Sequence, residues 1–148
     1  SIIWKNPEAN IHWMTPIIQN STMYGIAGRH QQGAETFALN IKTGTFFWKE
    51  PITWTYQFND RLINLGLFRG SILQSSDGYI CLSELGTLLK IDLTKNGWKL
   101  RGKLQLFFAP GTWTLPALSK GLLYVMQNET DRRSGKTPRI LCYNLRAI

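Results

Sequence analysis

At 148 residues, the chain is long enough for one ordinary domain or about three small repeat units. A hydrophobic share of 43% and an aromatic share of 12% exclude a disordered chain, and no apolar run approaches the ~20 residues of a membrane span. Seventeen basic residues against nine acidic ones leave a net charge of +8, which attracts anionic surfaces in general and is equally met by solubility and edge protection.

Six Trp, five Tyr and seven Phe beside three Met suit sheets better than helices, and no window joins helical periodicity to capping signals. The chain opens at Ser1 without Met or a leader pattern, so it is expected to be a stretch of a longer protein. Ile2-Ile3-Trp4-Lys5 matches Phe46-Phe47-Trp48-Lys49 and reads as the last strand of a preceding unit. Strands are then expected at 15–19, 22–28, 35–41 and 45–50, with Asn20-Ser21 and Lys42-Thr43-Gly44 as turns. Pro51 to Gly70 is too apolar for a flexible linker and is expected to form an extra strand or to cover a sheet face.

A second set of strands is expected at 71–75, 79–84, 87–93 and 98–107. Alternation along the last of these puts Lys99, Arg101 and Lys103 on one face and Leu100, Gly102 and Leu104 on the other. Cations on an outermost strand discourage edge-to-edge pairing, and no aromatic residues interleave with them as a nucleic-acid binder would require. A third set has three strands, at 114–119, 122–127 and 138–145. Cys81 and Cys142 sit in apolar runs without metal-ligand spacing. Both read as buried, inert thiols, with a disulfide between repeats left open.

Asn40, Asp92 and Asn144 are each an Asx between apolar strand residues, and each step between them is 52 residues. Four short strands per unit at a period near 50 is the pattern of propeller blades, whose sheets bury both faces against their neighbours. A sandwich gives the equal spacing no natural origin. The expected architecture is all-β: a propeller fragment of about three four-stranded antiparallel blades within one domain spanning 1–148. Residues 1–6 would close a preceding blade, 12–50 and 69–108 form two blades, and 112–148 form an incomplete one.

Ala38-Leu-Asn40-Ile-Lys-Thr43-Gly44-Thr-Phe-Phe-Trp48 resembles the tryptophan-docking repeat of quinoprotein-like propellers, A-x-D-x-x-T-G-x-x-x-W, with Asn40 in place of Asp. Met23 to His30 and Cys142-Tyr-Asn-Leu-Arg146 are similar to bacterial proteins with pyrroloquinoline-quinone-like repeats. The resemblance covers nearly the whole chain, although the motif is complete once; the second repeat, Asp92-Leu-Thr-Lys-Asn-Gly97-Trp98, has a longer turn and Trp directly after Gly. It implies that the Trp packs between blades, that the remaining blades belong to the parent chain, and that the protein is periplasmic or secreted. It does not by itself imply a cofactor, since the repeat also occurs in non-catalytic members.

In such blades the loops between second and third strands share an end with the connections between blades, and by analogy with other propellers the ligand face lies there. The candidate residues on it are Arg29, His30, Trp54, Tyr56, Arg69, Glu84, Trp113, Glu129, Arg132 and Arg133. Arg and aromatic groups converging on a concave face clamp anionic, planar or sugar-like ligands. His12, before Trp13, reads as packing at a junction, and neither His12 nor His30 has metal-ligand neighbours. No nucleophile elbow, phosphate loop or carboxylate pair is present in the sequence. The leading expectation is therefore a non-catalytic binding or scaffold module for a protein, polysaccharide or small anionic ligand. The alternatives are part of a dehydrogenase using pyrroloquinoline quinone with calcium, and electrostatic binding to an anionic polymer.

Overall fold

Four antiparallel sheets follow one another along the chain in a computed structural model that describes residues 1–28 and 34–146. The first contains β1 (Ile17–Gln19), β2 (Thr22–Ala27), β3 (Glu35–Asn40) and β4 (Phe46–Glu50), neighbours in chain order. A hairpin of β5 (Thr53–Phe58) and β6 (Arg61–Gly66) follows. The second four-stranded sheet holds β7 (Ser71–Ser75), β8 (Gly78–Leu82), β9 (Thr87–Thr94) and β10 (Gly97–Gln105), and the third has β11 (Ala117–Ser119), β12 (Leu122–Gln127) and β13 (Arg139–Asn144). The strands thus lie where alternation and turn residues place them, and the apolar 51–70 stretch is a hairpin. No described residue is helical.

The first strands of the first and third sheets are shorter than expected. β1 and β11 begin directly after Pro16 and Pro116, because proline has no N–H to give to a ladder. Residues 1–6 likewise enter no ladder. The turns behave as their residues dictate: Asn20 and Ser21, like Lys120 and Gly121, all have positive φ, the geometry of a two-residue hairpin that follows strand twist. Asn40 and Asn144 have the same task. Their Oδ1 atoms accept from the N–H of Lys42 at 2.9 Å and Arg146 at 3.0 Å, and Ile41 and Leu145 donate backbone bonds to Ser21 and Gly121.

Both four-stranded sheets carry an irregularity at the same place. Trp48 pairs with Ala38 and Phe46 with Leu39, leaving Phe47 extra; Gly102 pairs with Lys90 and Leu100 with Ile91, leaving Arg101 extra. A bulge resets the parity of a strand. The simple alternation expected along β10 therefore fails: Leu100 shares the face of Ile91, whereas Leu104 shares that of Leu88. Arg101 reaches back to Asp92, and Lys103 donates to the Thr55 carbonyl of the hairpin at 3.0 Å. β10 is nevertheless an edge strand of its sheet.

Three apolar cores alternate with the sheets. Phe37 and Leu39 pack under Trp4, Ala9 and Ile11 on one side of the first sheet. Tyr24, Ile26 and Ala38 on its other side meet Ile72, Cys81, Leu89 and Ile91 of the second sheet, with Trp54 and Leu65 of the hairpin joining them. Leu82 and Phe107 meet Leu123 and Val125 of the third sheet. Each large side chain buried in this way contributes roughly 1.5–3 kcal/mol, so the stacked sheets stabilise one another. Cys81 is fully buried, and burial pushes its thiol far above the ordinary range. Cys142 is exposed and both thiols are free, which corrects the expectation that both are buried. Cys142 shares the parity of Tyr124 and Ile140, the side of the third sheet turned away from its core.

Two tryptophans tie successive layers together. Trp4 Nε1 donates to the Ile41 carbonyl at 2.7 Å, and its ring lies so close to Gly44 that a Cβ there would be 2.5 Å from it. Trp48 Nε1 donates to the Thr94 carbonyl of the second sheet at 2.8 Å. Both acceptors lie just beyond the Asx position of the receiving sheet.

Candidate functional site

The connections that lead into the first strands bring together side chains distant in sequence. Trp13, Arg69 and Trp113 stand at the same offset before the hairpin pairs Gln19–Thr22, Ser75–Gly78 and Ser119–Leu122. Arg69 and Trp113 were expected on the ligand face; Trp13 was not. Its signal was present in the sequence as Trp13-x-x-Pro16, repeated in Trp113-x-x-Pro116, with each proline fixing where the strand begins.

Glu84 organises this cluster. It lies in the β8–β9 connection and is 1% exposed. Its backbone N–H donates to Leu67 and its carbonyl accepts from Thr112, both at 3.2 Å, which ties the loop to the connections before and after the second sheet. Arg69 grips the carboxylate through Nε at 3.0 Å and Nη2 at 2.8 Å, and the Trp113 indole donates to Oε1 at 3.1 Å. A buried carboxylate survives only with such partners. Its carboxylate oxygens are engaged in holding Arg69 and Trp113.

The pair in turn fixes the aromatic surface. The guanidinium of Arg69 lies 4.7 Å from the Trp113 ring centroid. Trp13 and Trp113 stack at 5.1 Å with 11° between planes, and His12 leans on Trp13 at 4.5 Å. Both tryptophans are 41% exposed, although tryptophans usually bury more of their surface. Beside them, Thr114 Oγ1 donates to Asn128 Oδ1 at 3.2 Å and Asn128 Nδ2 to the Gly111 carbonyl at 2.8 Å. The result is a rigid aromatic platform bordered by polar groups.

A second cluster gathers other expected residues. Arg133 Nη1 donates to the Tyr56 hydroxyl at 2.8 Å, and the Tyr56 ring stacks on Phe108 at 5.9 Å and 7°. The loop carrying Arg132 and Arg133 is anchored by Asp131, which accepts from the N–H groups of Phe108 and Arg133 at 3.0 Å and from Ser134 Oγ at 2.6 Å. Burial alone would raise its pKa, but the Ser134 hydroxyl and the backbone N–H groups hold the carboxyl below its ordinary value. Arg132 and Glu129 are exposed, and the Arg132 N–H donates to the Phe108 carbonyl at 2.8 Å.

Trp54 belongs to neither cluster. Its position on β5 turns it into the core beside the second sheet, where its indole nitrogen has no hydrogen-bond partner. Arg29 and His30 lie outside the described residues. Among the described residues, no three carboxylate, imidazole or thiol groups converge on a point that could hold a metal ion. No family model matches the chain, and no curated protein matches it.

Proposed function

We propose that the chain is part of a quinoprotein-like propeller, its three larger sheets being successive blades, and that it is a non-catalytic binding module for carbohydrate. Equivalent sheets, with Trp48 donating from the first to the second and Trp4 docking on the first in the same manner, support the propeller reading. The observation that carries the binding reading is the Trp13–Trp113 stack, with each residue 41% exposed. A sugar ring has an apolar face that packs on aromatic surface, here the parts of the two indoles that their mutual stack, Arg69 and His12 leave exposed, and hydroxyls that suit the polar groups beside them. The Arg69–Glu84 pair acts as a buttress that holds Trp113 in place before ligand arrives, which reduces the ordering cost of binding.

The quinone-dependent alternative has little support from these residues. Calcium takes about six to eight oxygen ligands, whereas the buried carboxylate Glu84 is occupied by Arg69 and Trp113. A periplasmic or secreted location fits a glycan binder but rests on the resemblance alone.

Titration calorimetry of the chain against a panel of neutral and acidic oligosaccharides tests the proposal. Saturable binding is expected for at least one, weakened about tenfold or more by Trp113→Ala or Trp13→Ala, a loss of ~1.4 kcal/mol or more. Absence of binding across the panel at millimolar sugar, or binding that ignores both substitutions, overturns it.

A further inference from the structure

The junction between the second and third sheets lacks the docked tryptophan that Trp4 supplies to the first sheet and Trp48 to the second. Trp48 stands opposite Ala38, directly after the bulge in β4. The residue opposite Lys90, directly after the matching bulge in β10, is Gly102. No heavy atom lies within 4 Å of the place where its Cβ would be. In the receiving sheet, Leu145 donates to Gly121 as Ile41 donates to Ser21, so the Leu145 carbonyl corresponds to the one that accepts from Trp4. The acceptor side of the seat has been kept and the tryptophan has not.

A cleft of about 880 Å³ opens there, with Leu88, Gly102 and Leu104 on one side and Leu118, Lys120 and Leu145 on the other. That volume lies in the range of small-molecule sites, roughly 300–1,000 Å³. The apolar walls favour a flat hydrophobic body. Lys90 also lines the cleft, but it is paired with Asp77 and Ser75, whereas Lys120 is exposed at the rim. The local charge therefore favours an anion.

We propose that this cleft binds a small planar indole-type anion in the seat that Trp4 fills on the first sheet and Trp48 on the second. Its N–H would donate to the Leu145 carbonyl, its ring would lie between Leu88 and Leu118, and its carboxylate would face Lys120. The site is separate from the aromatic platform, and the inference does not depend on carbohydrate binding there.

Indole-3-acetate is the probe, with naphthalene-1-acetate as the analogue that lacks the N–H. Calorimetry or ligand-observed NMR should show saturable binding of indole-3-acetate, about fivefold or more weaker for the naphthalene compound, the loss of one hydrogen bond. Gly102→Trp should fill the cleft from within, reduce binding more than tenfold and raise the melting temperature, since the backbone at Gly102 is not in the left-handed region. Leu118→Arg is the second variant, expected to abolish binding with the strand signal in circular dichroism intact. The proposal is overturned by three results: no saturable binding at millimolar probe, binding that survives both substitutions, or binding only by tryptophan-bearing peptides. Equal affinity for both probes overturns the assignment of the Leu145 carbonyl.

Discussion

Removing Arg69 should be the most costly single change in the aromatic platform. Arg69→Met leaves the Glu84 carboxylate 1% exposed with the Trp113 indole at 3.1 Å and the Arg69 backbone N–H at 3.5 Å as its remaining donors. An uncompensated buried charge costs about 3–5 kcal/mol. At about 3 °C per kcal/mol for a chain of this size, the melting temperature should fall by roughly 10–15 °C. The reverse change is gentler. Glu84→Gln leaves a neutral amide still able to accept from Trp113, and the Arg69 side chain is 22% exposed, so water partly solvates it. A loss of about 1–3 kcal/mol is expected there. The double variant Arg69→Met/Glu84→Met removes both charges and should recover to within about 1 kcal/mol of the parent, because an apolar pair needs no desolvation. Thermal melts followed by circular dichroism read all three. If Arg69→Met melts within about 3 °C of the parent, or the double variant is worse than either single one, the carboxylate is not held as its burial indicates.

The remaining expectations concern the scaffold. Native protein should react with one equivalent of a thiol reagent, at Cys142, and with two in denaturant, because Cys81 is fully buried and its thiol is disfavoured from ionising; two fast equivalents in the native state would contradict the sheet packing. Gly44→Ala should cost about 2–4 kcal/mol in urea unfolding, since φ is +72° and the new methyl would meet the Trp4 ring at 2.5 Å; a neutral outcome would mean that Trp4 does not dock. For Asp131, the folded carboxyl titrates below its unfolded value, so its stabilisation is present above about pH 4 and is lost as pH falls through the folded pKa. Asp131→Asn should accordingly destabilise at pH 7 and converge with the parent near pH 3, whereas a gap that stays constant with pH would argue against the ionised anchor.

Much of this organisation was legible in the chain. Turn residues and period-two alternation placed the strands, the 52-residue step from Asn40 to Asp92 to Asn144 marked the repeats, and Arg69, Glu84 and Trp113 were picked out because their loops share one end of the sheets. These are local signals: a pleat, a hairpin and an Asx turn each depend on residues within a few positions of one another.

Tertiary structure decided the rest. Glu84 reads in sequence as an acid ending a strand, and only packing shows it buried beneath Arg69 and Trp113. Trp13 gains its role from Trp113, far along the chain. The bulges at Phe47 and Arg101 reverse parity, so alternation alone misassigned Leu100 relative to Leu104 and could not show that Gly102 stands where Trp48 does. The backbone's local preferences fix where strands lie and turn. Which faces meet, which charges are stripped of water and which seat stays open are set by contacts between sheets separated by dozens of residues, and no local pattern encodes those.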